Sequence, residues 1–222
     1  VLLALVSQAQ NKMGVIYDDN VQVRKLPNFT SIRVSNAIEL YISQSNKTEV
    51  AVSAKTDEYR NRIITEVVGG TLIIRMADNN KWWKWNDDDY KTKAYVSIKD
   101  IDALTASGAS TVHLINTIES PKMRIKLSGA SDFKGNIKAG VLMYQLTGAS
   151  DYKGEVSANS IDIDGSGASS IELIGKVDDL AIEVSGASTA KLYNLTAKGA
   201  ILRASGASNI GVTVTEILRA NS

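Results

Sequence analysis

Apolar and polar residues alternate over short runs along most of this chain. Val21 and Val23, Ile32 and Val34, Ile38, Leu40 and Ile42, and Val50 and Val52 all recur with period two. That period places successive side chains on opposite faces of a strand, so the secondary structure reads as nearly all β. Between Ile63–Val67 and Leu72–Met76 stands Gly69-Gly70, a turn signal that predicts a hairpin.

The second half carries a longer period. Ser-Gly-Ala-Ser, once Thr-Gly-Ala-Ser, occurs six times with its glycine at Gly108, Gly129, Gly148, Gly167, Gly186 and Gly206, at intervals of 21, 19, 19, 19 and 20 residues. So regular a spacing means one supersecondary unit repeated, each copy burying its apolar side on its neighbours. Four residues before the glycines stand Leu104, Ile125, Tyr144, Ile163, Ile182 and Leu202. Four residues after them stand Val112, Phe133, Tyr152, Ile171, Ala190 and Ile210, with Leu114, Gly135, Gly154, Leu173, Leu192 and Val212 two further on. These rows read as inward-facing. Glycine at 135 and 154 accompanies the bulky Phe133 and Tyr152, which predicts that volume is conserved within a coil, that the two rings stack, and that Gly154→Leu is tolerated only when Tyr152 is made smaller. Ile118, Ile137, Val156, Val177 and Leu195 suggest a third inward row.

The expected fold is therefore an all-β, right-handed parallel β-helix (solenoid) with coils of about 19–21 residues and a less regular β N-terminal part. With coils about 4.8 Å apart, five intervals span about 24 Å. The motif glycines are expected to be structural corners, with Ala and Ser small enough to stack on their copies; six equivalent serines have no matching bases and do not read as nucleophiles.

Composition narrows the function classes. The 222 residues hold 25 Lys plus Arg against 24 Asp plus Glu, so no global field draws the chain to nucleic acid or to an anionic membrane. No stretch is apolar for long enough to predict a membrane span. Val1–Ala9 resemble the end of a secretory signal with a small-x-small site at Ser7-Gln8-Ala9, cleaved after Ala9, which predicts a secreted, periplasmic or cell-surface protein of the bacterial envelope. Residues 10–222 then form a single domain, with irregular strands over 15–100 and regular coils over 101–222. There is no cysteine, so disulfides, thiolate metal sites and thiol nucleophiles are excluded.

The regular coils, the Phe29-Thr30-Ser31-Ile32-Arg33-Val34 start and the alternating Ile38-Glu39-Leu40-Tyr41-Ile42 strand resemble the bacterial family called putative auto-transporter adhesin, head GIN domain. The resemblance runs from about Val21 to the end. It implies a secreted right-handed β-helix and supplies no catalytic residues.

Candidate chemistry is sparse. All three tryptophans fall in Lys81-Trp82-Trp83-Lys84-Trp85-Asn86-Asp87-Asp88-Asp89-Tyr90, between two predicted strands. Trp82, Trp83, Trp85 and Tyr90 are the first candidates for binding a glycan or a protein partner, the competing reading being a lid on the solenoid end or a self-association surface. Asp87–Asp89 lack the Asp-x-Asp-x-Asp-Gly pattern of a calcium loop, so no metal or cofactor is expected. Asp132 and Asp151 share an outward position in adjacent coils, as do Lys134 and Lys153, and form the next candidate contact surface, their charges expected to offset across the face. Asp162-x-Asp164 and Asp178-Asp179 invite comparison with β-helix polysaccharide lyases and hydrolases. No Asp, Lys and Arg cluster recurs over three coils, however, and the single histidine, His113, is outward in the first coil. The reading is a non-enzymatic envelope β-solenoid, an adhesin for a glycan or a protein. A homo-oligomeric structural module is the other non-catalytic alternative.

Overall fold

The computed structural model describes Asp18, residues 20–77 and residues 91–221. Sixteen described strands and one short helix, α1 (Asp57–Asn61), form one continuous folded sheet. Among the described residues no helix is long and apolar enough to cross a membrane.

The regular part is a β-solenoid of three faces. The first face is made by β8 (Ala103–Ala106), the second half of β10 (Ile118–Leu127) and of β12 (Ile137–Leu146), and then by segments of β13 (Asp151–Gly165), β14 (Ser170–Val184), β15 (Thr189–Ala204) and β16 (Asn209–Asn221). All pair in parallel, with Leu104, Ile125, Tyr144, Ile163, Ile182 and Leu202 in register as expected. The second face begins after each corner, in β9 (Thr111–Leu114), β11 (Asp132–Lys134) and the starts of β13 to β16. Val112, Phe133, Tyr152, Ile171, Ala190 and Ile210 form its inward row. On the third face Ile118, Ile137, Val156, Val177 and Leu195 are all buried. They do not form one row, because Val156 lies beside Gly175 while Val177 lies beside Ala158.

Three devices hold the corners. The motif glycine has positive φ, from +62° at Gly108 to +82° at Gly167. From the third corner onward the following alanine donates its N–H to the glycine carbonyl of the coil before, as Ala168 does to Gly148 at 2.7 Å and Ala187 to Gly167 at 2.7 Å. In the first three corners the second serine is buried and its hydroxyl turns back onto the carbonyl three residues earlier, Ser131 to Ser128 at 2.7 Å and Ser150 to Thr147 at 2.6 Å, whereas the buried Ser169 and Ser188 bond to each other at 3.1 Å. Satisfying a buried hydroxyl avoids a penalty of about 1–3 kcal/mol, which explains why serine is retained at an interior position.

The expected volume exchange is present with a different cause. Phe133 and Tyr152 stack at 4.7 Å between centroids, and Tyr144 from the first face tilts against Tyr152 at 4.9 Å. The Leu114 side chain fills the place a Cβ at Gly135 would need, 2.3 Å away. At Gly154, however, the nearest obstacle to a Cβ is the Gly135 carbonyl oxygen at 1.9 Å, with the Tyr152 hydroxyl at 3.0 Å. Backbone approach dictates that glycine, so the expectation that a smaller residue at 152 would admit leucine at 154 is corrected.

The N-terminal part uses the same stack. β2 (Ser31–Val34) lies beside β8 and β3 (Glu39–Gln44) beside β9, both parallel, so residues 31–44 form another coil. Its corner is Ser35-Asn36-Ala37: Asn36 has φ +65°, Ala37 donates to the Gly108 carbonyl at 2.9 Å, and asparagine stands where the repeats have glycine because it tolerates the left-handed region. Beyond it β6 (Thr71–Met76) pairs with β2 and β7 (Lys93–Ile98) with β3. The parallel stack then ends. β5 (Ile63–Val68) joins β6 as the expected antiparallel hairpin, while β4 (Glu49–Ser53) continues the second face antiparallel to β7, and β1 (Val21–Arg24) follows antiparallel to β4. α1 carries the chain from β4 to β5, from the second face to the first. Thr56 caps the helix by accepting from the Tyr59 N–H, and acidic Asp57 and Glu58 sit in its first turn, where the helix dipole favours them.

Candidate functional site

The outer surface of the second face gathers most of the unusual chemistry. Because β7, β3 and β9 are adjacent and in register, Tyr95, Tyr41 and His113 line up. The Tyr95 and Tyr41 rings stack at 5.4 Å and 15°, and those of Tyr41 and His113 at 5.0 Å and 22°. Carboxylates fix the stack from the side. Tyr95 donates its hydroxyl to Asp18 Oδ2 at 2.7 Å, and Lys93 Nζ lies 3.2 Å from the same oxygen. Tyr41 donates to Glu39 Oε1 at 2.7 Å, which His113 Nε2 approaches at 3.2 Å.

These contacts move the ionisations. Burial and then the bond to Glu39 push the Tyr41 phenol from 10.0 up to about 12. Burial and the bond to Asp18 push Tyr95 well above the usual phenol range. Burial acts to raise the Asp18 carboxyl, but the bonds from Tyr95 and Lys93 outweigh it and hold the group below its usual value. A raised folded-state pKa favours the protonated fold, so this part of the stability is fully present below pH 10, falls above it, and is gone once pH has passed about 12 at Tyr41. We expect Tyr41→Phe to flatten the decline in unfolding free energy between these values. An unchanged slope would show that the phenol does not contribute.

Toward the C-terminus the aromatic row continues as Lys134, Lys153, Glu172 and Lys191, and the row two residues earlier as Thr111, Asp132, Asp151, Ser170 and Thr189. A shallow depression of about 300 Å³ runs over Asp132, Lys134, Asp151, Lys153, Ser170 and Glu172. Asp132 with Asp151 and Lys134 with Lys153 are adjacent, as expected, but the charges do not offset across the face. Lys153 Nζ lies 2.8 Å from Glu172 Oε1, one coil on along the axis, and its hydrogen bond holds the Glu172 carboxyl below the usual range. Among the described residues neither aspartate has an ion-pair partner.

Trp82, Trp83, Trp85 and Tyr90 lie outside the described residues, as do Val1–Ala9. In chain order the segment holding the tryptophans joins β6 to β7. Asp162 and Asp164 project outward beside buried Ile161 and Ile163, and Asp178 pairs with Lys198 at 2.6 Å. Sequence reading missed Tyr41 and Tyr95 as site residues. Their signal is a tyrosine at the outward phase of two alternating strands, and only the pairing of β3 with β7 reveals that the two meet.

The chain belongs to the family described as putative auto-transporter adhesin, head GIN domain, whose model matches residues 28–167 and again 132–222. No curated protein matches it. Among solved structures it is similar to one described as a putative lipid binding protein from Parabacteroides distasonis, with 18% identity, a TM-score of 0.73, and 91% of this chain and 94% of that chain covered. A putative adhesin from Parabacteroides merdae is similar at 9% identity and TM-score 0.69, covering 90% of this chain and 93% of that chain. A putative adhesin from P. distasonis follows at 14% and 0.68, covering 90% and 96%. At such identities the likeness is one of fold.

Proposed function

We propose that the protein is a non-catalytic adhesin of the bacterial cell surface that binds glycan through the outer surface of its second face. Membership of an adhesin family supports the class. The observation that carries the glycan is the Tyr95–Tyr41–His113 stack running without interruption into rows of carboxylate, hydroxyl and ammonium groups on one open sheet. Polyhydroxylated rings are recognised by apolar ring surface together with hydrogen-bonding groups in fixed positions, and carboxylates held by phenols supply such positions. Catalysis would need a paired acid and base or a carboxylate pair set across one bond; Asp178 is instead engaged in an exposed ion pair with Lys198, and Glu183, in register beside Asp164, in one with Arg203.

A glycan array read with the wild type and with Asp132→Ala plus Asp151→Ala tests the reading. Losing hydrogen bonds from two charged groups should weaken binding at least tenfold. The thermal midpoint should not fall, since stacked like charges are removed. An array on which the wild type binds nothing would sink the glycan reading. Binding that survives this variant but vanishes in a Trp82, Trp83 and Trp85 alanine variant would move the contact to the segment between β6 and β7.

A further inference from the structure

Resting on the glycan reading above, we infer that the ligand is an extended, neutral polysaccharide lying along the solenoid axis across successive coils, rather than a terminal sugar held in a pocket. The residue that follows each corner carries an oxygen in every coil: Thr111, Asp132, Asp151, Ser170, Thr189 and Asn209. Strand pairing sets these six side by side in one unbroken row. Such residues at the start of a strand often serve the turn before them, but here the second serine of the motif serves the first three corners and the sixth. Among the described residues none of the six side chains makes a hydrogen bond, so their polar groups are free for a ligand.

Three further observations give the direction and the charge. The depression over Asp132, Asp151 and Ser170 crosses three consecutive coils, so its length follows the axis. The aromatic stack lies on the same line, at the end of the lysine row. Asp132, Asp151 and Glu172 are balanced in number by Lys134, Lys153 and Lys191, so the two rows over the regular coils carry no net charge with which to select a polyanion. At about 4.8 Å per coil the row spans about 24 Å, which a linear chain of several sugar units covers and a single sugar does not. Each added unit then engages the next coil at high effective concentration.

The test uses size-fractionated partial hydrolysates of a glucan, a mannan and a galactan, from monomer to fragments longer than the row, titrated against the full chain. Affinity should rise with length and level off once the row is covered. Thr189→Ala plus Asn209→Ala should leave short fragments unaffected and lower the plateau roughly fivefold for each hydrogen bond lost. Full-strength binding of a monomer or dimer, or an equal loss for short and long fragments in the variant, would overturn the axial placement while leaving glycan binding in place. No binding by any fragment or by the intact polysaccharides would overturn both.

Discussion

Gly167→Val should cost about 3–5 kcal/mol of unfolding free energy, combining strain at a left-handed backbone with overpacking. Gly167 has φ +82°, where a β-branched residue is strongly disfavoured, and its Cβ would stand 2.6 Å from the Gly148 carbonyl oxygen and 3.0 Å from the Gly148 nitrogen. That oxygen already accepts from Ala168, and the Gly167 carbonyl accepts from Ala187, so lifting the corner breaks bonds on both sides of the coil. Gly70→Val separates the two terms. Its φ is +75° but nothing lies within 4 Å of its Cβ, so strain alone acts there, about 1–3 kcal/mol. Denaturant unfolding of both variants reads the difference. A Gly167→Val change within about 0.5 kcal/mol of wild type, or one equal to that of Gly70→Val, would mean that the stacked corner adds nothing.

The same contrast shows why the regular coils were legible in the sequence. A solenoid repeats its local problem, so the residues that solve it recur at a fixed period: glycine where φ is positive, serine where a hydroxyl must satisfy a buried carbonyl, apolar residues at fixed distances either side. Legibility fails where the solution changes. At Asn36 asparagine supplies the left-handed backbone, and residues 45–102 separate that coil from its neighbour, so the corner at Ser35-Asn36-Ala37 breaks both motif and period. α1 was not foreseen, because five residues with no buried side chain leave no amphipathic pattern.

The candidate site was legible only in part, for a related reason. Asp132, Asp151, Lys134 and Lys153 stand at equal distances from their motifs, so their adjacency follows from the repeat. Tyr41 and Tyr95 come from strands whose neighbours in space are distant in sequence, and period-two alternation says only that each faces outward. Their hydrogen bonds to Glu39 and Asp18 depend on that pairing too. Sequence also could not tell whether glycine at 154 yields room to a side chain or to a backbone, since both leave the same residue.

That distinction has a large measurable consequence. Gly154→Ala alone should destabilise the protein by several kcal/mol, because its Cβ would sit 1.9 Å from the Gly135 oxygen and 2.9 Å from the Gly135 carbon, atoms that move only with the coil. The Tyr152 hydroxyl would lie 3.0 Å from the new methyl, and it also donates to the Gly135 oxygen at 3.0 Å. Tyr152→Phe removes the hydroxyl and keeps the stack on Phe133, at a cost of about 1 kcal/mol for the lost bond. The two substitutions combined should therefore be less stable than either alone. Urea unfolding of the two single variants and the double variant decides the matter. A double variant more stable than Gly154→Ala would show that Tyr152, not the neighbouring backbone, sets the limit at this position, and would restore the side-chain exchange that the 1.9 Å contact rules out.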